Sequence, residues 1–271
     1  MHDLNQIIAY FESNSDLFEV FPLSIWPRRK FKEASDEILK IAFHESSKYQ
    51  IFIIIHDSVM DLEYHENQIG LRVSLLKSKK ADNEYVMPYI WDPLPTFDPL
   101  PPTRKPRIGY CGRKHKYRNA TLRYFRWNWR FKTDYIIRKE YWGGMPNNQD
   151  LRKDFEENMR RNHFNICNRG RGNFSMRFYQ TLSAGRIPAL IVNDFEFPFE
   201  NQIDWDKYVV TGKDNKELAA NIGRVYKERD IIEMQKDCAR LYKEFFTPET
   251  FAAKMLQVLT DRYSENNHKV I

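Results

Sequence analysis

The sequence predicts an α/β protein built on parallel, doubly wound sheet and divided into two domains. Beyond residue 106, short apolar runs alternate with amphipathic helical stretches, the order that gives strand–helix–strand units. One such unit, residues 163–194 (HFNICNRGRGNFSMRFYQTLSAGRIPALIVND), sets a glycine loop between a strand and a helix. Seven of the 13 prolines fall within residues 88–106, so this segment reads as an extended connector. At 271 residues the chain is better sized for two cores than for one. The expected domains are 1–100 and 101–271, with the terminal helix free to pack back on the N-terminal domain.

In the first part, apolar spacing predicts helices over 3–18 and 31–44 and a strong strand over 51–55. Residues 73–80 are ambiguous, and 84–88 are extended. The second part opens with a strand over 107–111, a helix over 117–130, a strand over 135–138 and a helix over 150–161. A strand over 164–167 leads through the glycine loop to a helix over 174–184, for which Asn173 is the expected N-cap and Gly185 the C′ residue. Strands over 187–192 and 208–210 follow, then helices over 216–228, 231–246 and 248–262. In the run TLRYFRWNWRF, helical spacing predicts a buried stripe of Leu122, Phe125 and Trp129 with arginines outside. The same run would stack bases if it faced a nucleic acid.

An apolar fraction of 42% with 15% aromatics excludes a disordered chain. A net charge of +6 and pI near 9.0 suit an anionic partner: nucleic acid, a membrane surface or a phosphorylated ligand. The charge is modest and spread out, so a solvated basic surface also accounts for it. Cys111, Cys167 and Cys238 lack metal-ligand spacing and fit a reducing compartment. No stretch is long and apolar enough to cross a bilayer, and the N-terminus has no signal-peptide pattern. The expectation is a soluble, intracellular chain with no transmembrane segment.

Parallel doubly wound sheets bind ligands beyond the carboxyl ends of their strands, where the strand order reverses. That edge collects Arg113 after one strand, and Arg169, Gly170, Arg171, Gly172, Asn173, Ser175 and Arg177 after another. Asp194 and Glu196 follow a third, and His56 and Asp57 follow the strand of the first domain. Free amides at a helix start, with the positive end of the helix dipole, make an anion site. Forked guanidinium donors suit phosphate oxygens. The loop has neither GxGxxG nor Walker A spacing, so spacing alone fits a plain turn as well. The clustered arginines favour an anion, because unanswered cations repel.

The stretch NRGRGNFSMRFYQTLSAGRIPALIVNDFEFPFENQIDW resembles the exostosin-type glycosyltransferases. The likeness runs through Ser175, Arg177, Phe178, Ile187, Pro188, Glu196, Pro198, Phe199, Ile203, Asp204 and Trp205. Upstream, KPRIGYCGRKHKYRNATLR is similar to the family's basic segment, with Arg118 or Arg123 as its helix arginine. The region HDSVMDLEYHENQIGLRVSLLKSKKADNEYVMP also resembles it, so the likeness covers residues 49–247. The resemblance implies a GT-B arrangement of two Rossmann-like domains, here with a reduced N-terminal one. It implies inverting transfer of a sugar from a nucleotide diphosphate donor, a UDP-sugar, to a glycan hydroxyl, with no metal and no other cofactor. The absence of a membrane anchor would fit a bacterial or viral origin. Asp204 and Asp206 spell the DxD of metal-dependent enzymes, but their setting favours packing and capping. Transfer needs a base for the acceptor hydroxyl; Asp57 is favoured, with His56 and Asp61 next and His65 and Glu66 as rivals. Two other readings remain: a basic α/β nucleic-acid-binding protein, and an inactive glycosyltransferase-like partner subunit.

Overall fold

The computed structural model describes residues 2–23, 37–40, 48–55, 61–90, 92–139, 148–170 and 172–264. They fall into two compact units, residues 1–91 with 243–271 and residues 92–242. The division lies at 91/92 and assigns the C-terminal helix to the first unit.

The first unit carries helix α1 (His2–Asn14) and strands β1 (Phe18–Leu23), β2 (Tyr49–Ile54), β3 (Gln68–Arg72) and β4 (Glu84–Val86), with helix α7 (Pro248–Tyr263) at the end of the chain. The strands form one parallel sheet in the order β1-β2-β3-β4. The helix expected over 3–18 stops at Asn14: the Ser15 hydroxyl accepts a bond from Leu17 N at 3.1 Å, and FEVFPL enters the sheet. Pro22 is tolerated because β1 is an edge strand among the described residues. Of the helix expected over 31–44, only 37–40 is described, and it is helical. The ambiguous residues 73–80 follow β3, which ends at Arg72, and hold a single 3-10 turn at Lys77–Lys79. β3 shows no alternation because it is buried throughout, with Gln68 bonded to Gln50 at 3.1 Å and Arg72 paired with Glu84. Helices α1 and α7 pack together, and α7 starts in a capping box between Thr247 and Thr250.

The second unit carries β5 (Arg107–Arg113), α2 (Lys116–Trp127), β6 (Lys132–Arg138), α3 (Gln149–Arg160), β7 (Phe164–Ile166), α4 (Met176–Ser183), β8 (Ile187–Ile191), β9 (Val210–Gly212), α5 (Asn215–Glu228) and most of α6 (Ile231–Phe245). All five strands are parallel, in the order β6-β5-β7-β8-β9. The chain steps outward from β5 to β6, then returns to the other side of β5 for β7. The strand order therefore reverses between β5 and β7. The two parallel sheets are consistent with the GT-B-like class expected.

Three local expectations shift. Helix α4 starts at Met176 with Ser175 at the N-cap, so Asn173 does not cap it. The strand expected over 208–210 lies two residues later, as β9, behind a 3-10 turn at Trp205–Lys207. Helix α2 ends at Trp127, where Asn128 turns extended, so Trp129 leaves the predicted stripe and is 78% exposed. Leu122 and Phe125 remain buried.

The proline-rich segment lies along the second unit as a bonded strap. Leu94 N donates to Ser183 Oγ at 2.9 Å and Phe97 N to the Ala184 carbonyl at 3.2 Å. Gln235 grips Leu100 from both sides, accepting from its N at 3.0 Å and donating to its carbonyl at 2.9 Å. Arg186, fully buried, donates to the carbonyls of Gly185, Asp98 and Arg160 at 2.7–3.0 Å. Burial pushes its pKa down to about 10, which leaves it charged at neutral pH. His163 Nδ1 accepts from Arg107 N at 3.1 Å, so Nε2 carries the proton and donates to the Pro101 carbonyl at 3.0 Å. Cys111, Cys167 and Cys238 are free and buried.

Candidate functional site

The reversal between β5 and β7 opens at the carboxyl ends of those strands, and the sequence delivers arginines to it from two helices. Arg118 comes from the first turn of α2, which follows β5. Arg177 comes from the first turn of α4, which follows β7 through the glycine loop. Each crosses to the other strand's end. Arg177 Nη2 donates to the Cys111 carbonyl at the end of β5 at 2.6 Å, and its guanidinium lies 4.4 Å from the centre of the Tyr110 ring. Arg118 Nε donates to the Asn168 carbonyl just beyond β7 at 3.1 Å, and Nη1 reaches Tyr110 Oη at 3.4 Å.

Two glycines make room for them. Gly112 has φ +150°, and a Cβ there would stand 2.5 Å from Arg177 Nη2. A Cβ on Gly170 would stand 2.7 Å from Arg118 Nη2. Glycine at both positions lets a guanidinium lie against the backbone.

Asn168 and Asn173 tie the loops. Asn168 accepts from Ile191 N at 2.9 Å and donates to Thr121 Oγ1 at 2.8 Å, joining β7, β8 and α2. Asn173 Oδ1 accepts from Arg169 Nη1 and from Asn193 Nδ2, each at 2.8 Å, while its amide donates to the Asp194 carbonyl. Asn173 thus pins the glycine loop to the end of β8. Arg169 rests 4.7 Å from the centre of the Tyr117 ring.

The arginine cluster is cationic and incompletely satisfied. Buried Nε and Nη1 of Arg177 and buried Nε of Arg169 have no hydrogen-bond partner among the described residues. A buried N–H without an acceptor costs about 1–3 kcal/mol, so the arrangement favours a ligand rich in acceptor oxygens. Arg118 sits below the ordinary arginine pKa, first through burial and then through the neighbouring Arg177. His115, at the N-cap of α2, is held below the ordinary histidine value by burial and then by Arg118, Lys116, Arg169 and Arg113. Above α4, the first helical amides add the positive end of a dipole. The arrangement can hold a phosphate or diphosphate and absorb negative charge that develops on it.

Of the residues expected from sequence, Arg118, Arg169, Gly170, Asn173 and Arg177 meet here. Arg113 ends β5 and is exposed, its carbonyl accepting from Tyr110 Oη at 2.6 Å. Gly172 is buried in the loop, and the Ser175 hydroxyl makes no cap bond. Asp194 is exposed and Glu196 half-buried after β8. Asp61 holds Lys79 in an exposed ion pair at 2.9 Å. His56, Asp57 and Arg171 lie outside the described residues. Asp204 pairs with Lys207 at 3.4 Å beside Trp205, whose indole donates to the Pro198 carbonyl at 3.1 Å. Sequence reasoning missed Tyr110, His115, Tyr117 and Asn168. Their one signal is position, directly within or after strand ends that border the reversal.

Residues 111–223 match the model of the Exostosin GT47 domain, so the matched stretch carries both arginines and the glycine loop. Exostosin-1a of Danio rerio is 25% identical over 119 residues, which are 43% of this chain and 16% of that protein. Exostosin-1c of Danio rerio is 27% identical over 119 residues with the same coverage, and Exostosin-1 of Bos taurus 25% over 112, covering 40% and 15%. The chain thus spans under a fifth of the length of these curated relatives. The resemblance to exostosins read from the sequence is borne out over residues 111–223, a narrower stretch than the 49–247 expected, and the matched domain is a glycosyltransferase domain. These relatives are animal proteins and give the expected bacterial or viral origin no support. No helix among the described residues is long and apolar enough to cross a membrane.

Proposed function

From an exostosin-like GT47 domain over residues 111–223, we propose that this chain is a glycosyltransferase that takes its sugar from a nucleoside diphosphate donor, a UDP-sugar. The observation that supports the reading most is that buried Nε and Nη1 of Arg177, at the β5/β7 reversal, have no hydrogen-bond partner among the described residues. Breaking the bond between a sugar's anomeric carbon and the β-phosphate leaves negative charge on the diphosphate. Guanidinium donors already fixed by Cys111, Asn168 and Tyr110 meet that charge with little reorganisation. Arg118 and Arg177 therefore hold the diphosphate in this reading, and Arg169 with the start of α4 completes the cradle. Glu196 accepts from ribose or donor-sugar hydroxyls, and Arg171, Arg113 and Asp194 border the donor. Transfer inverts the anomeric carbon and needs no metal. The acceptor is a glycan hydroxyl whose proton passes to Asp57, with His56 and Asp61 the alternatives.

The test is UDP release from a panel of UDP-sugars with mixed glycan acceptors, run with and without EDTA. Turnover that survives EDTA and falls about 10²–10⁴-fold in Asp57→Asn, with UDP affinity retained, is the expected result. No stabilisation by any UDP-sugar and no UDP release would leave the partner-subunit reading in its place. Loss of turnover with EDTA, restored by manganese, would overturn metal independence.

A further inference from the structure

The most exposed large apolar side chains among the described residues are Trp127 and Trp129, at 82% and 78%; the next, Tyr117 and Val192, reach 44%. Both indoles line an open groove of about 680 Å³ on the outer face of α2, with Tyr124, Arg123, Asn128 and Asn215. This groove shares no lining residue with the arginine pocket. Two tryptophans left in water beside one groove are a feature of recognition surfaces, since a lone exposed apolar side chain is ordinary but a grouped set is not.

The polar atoms define the ligand. Asn128 Oδ1 accepts from Arg130 N and Nε at 3.3 and 3.4 Å. Asn215 Oδ1 accepts from Thr121 Oγ1 at 2.7 Å. Each carbonyl already accepts within the protein, so the two amides offer their N–H groups; Arg123 and the indoles add donors, and the Tyr124 hydroxyl both donates and accepts. No described residue lining the groove is acidic. Of the nearby cations, Arg126 lies over the Tyr135 ring, Arg130 over Phe131 and Lys105 over Trp129 itself. Among the described residues, Arg123 is the one guanidinium lining the groove. Flat aromatic walls, side-chain amides and two cations, Arg123 in the lining and Lys105 at Trp129, suit a chain of sugar rings bearing occasional carboxylate or sulfate groups. A nucleic-acid strand, with a phosphate on every unit, calls for a row of cations.

We propose that the α2 groove binds an acidic oligosaccharide, with the pyranose faces against Trp127 and Trp129 and the anionic group on Arg123. The site is independent of the donor reading. The test is calorimetry and tryptophan fluorescence on the full chain with hexasaccharides of polygalacturonate, hyaluronan and dextran sulfate, and with cellohexaose as the neutral control. Oligo-dT and anionic phospholipid vesicles are run alongside. At least one acidic hexasaccharide should bind and quench fluorescence. Trp127→Ala/Trp129→Ala should weaken it by about tenfold or more, and Arg123→Gln should weaken acidic sugars while leaving cellohexaose unchanged. UDP binding should be the same in all variants, so failure here is separable from failure of the donor reading. Equal binding by the double variant, no binding of any acidic hexasaccharide, or a tryptophan-dependent response confined to oligo-dT or vesicles would overturn the proposal.

Discussion

Replacing Gly112 with alanine tests the pocket without altering a single charge. The added Cβ would stand 2.5 Å from Arg177 Nη2 and 3.5 Å from Tyr110 Oη, while the backbone is held at φ +150°. The far end of the arginine is the part that can yield, so Arg177 must withdraw from the Cys111 carbonyl it now reaches at 2.6 Å. Positive φ on a residue with a Cβ costs about 1–2 kcal/mol. The lost charge-assisted bond adds about 1.5 kcal/mol more. Gly112→Ala should therefore lower stability by roughly 2.5–3.5 kcal/mol in urea titration. It should weaken UDP about tenfold in calorimetry, since the displaced guanidinium no longer meets the phosphate. Gly223→Ala is the matched control: it lies within α5 at an ordinary φ, and a Cβ there meets nothing within 4 Å. Alanine at that position should stabilise by about 0.5–1 kcal/mol and leave UDP binding alone. Unchanged stability and UDP affinity in Gly112→Ala would refute the claim that this glycine seats Arg177.

Arg186→Met keeps volume but leaves the carbonyls of Gly185, Asp98 and Arg160 without their donor, and should destabilise by about 2–4 kcal/mol; an unchanged urea midpoint would deny the buried arginine its role in holding the strap. His115 is held below its ordinary pKa of 6.5, so the unfolded chain takes up more protons as pH falls below 6.5. The stability linked to the neutral ring is full above that pH and declines with acid until the folded value is passed. A bound diphosphate offsets the surrounding cations and raises the pKa, so near pH 6 the wild type should take up more protons per UDP than His115→Gln, in calorimetry across buffers of different ionisation enthalpy. Identical uptake would remove His115 from the pocket. The buried thiols of Cys111 and Cys167 are pushed up, Cys167 to about 11, and should resist alkylation at pH 8 until the chain is unfolded.

The regular half of the fold was legible because its strands and helices alternate with clear turn residues. Gly185, at φ +63°, ends its helix as the sequence predicts. The first unit was harder to read for physical reasons. β1 contains a proline that reads as a breaker until its edge position is known. β3 hides its character because its polar ends are buried against Gln50 and Glu84. At the pocket, arginines and glycines were readable as a group, but their pairing was not. That Gly112 serves Arg177 and Gly170 serves Arg118 depends on two helices crossing a strand reversal, which no local spacing encodes. Asn173 drew a cap assignment from its place before a helix, whereas tertiary bonds to Arg169, Asn193 and Asp194 claim its side chain. Trp129 followed helical spacing on paper and left it because the helix ends at Trp127.

The central claim is that Arg177 and Arg118 form a diphosphate cradle at the β5/β7 reversal, and calorimetric titration of UDP against uridine tests it most directly. The wild type should bind UDP far more tightly than uridine. Arg177→Ala should lose about 10- to 150-fold in UDP affinity, corresponding to roughly 1.5–3 kcal/mol for a charge-assisted contact, with uridine binding unmoved. UDP affinity in Arg177→Ala equal to that of the wild type, or uridine bound as tightly as UDP, would contradict it.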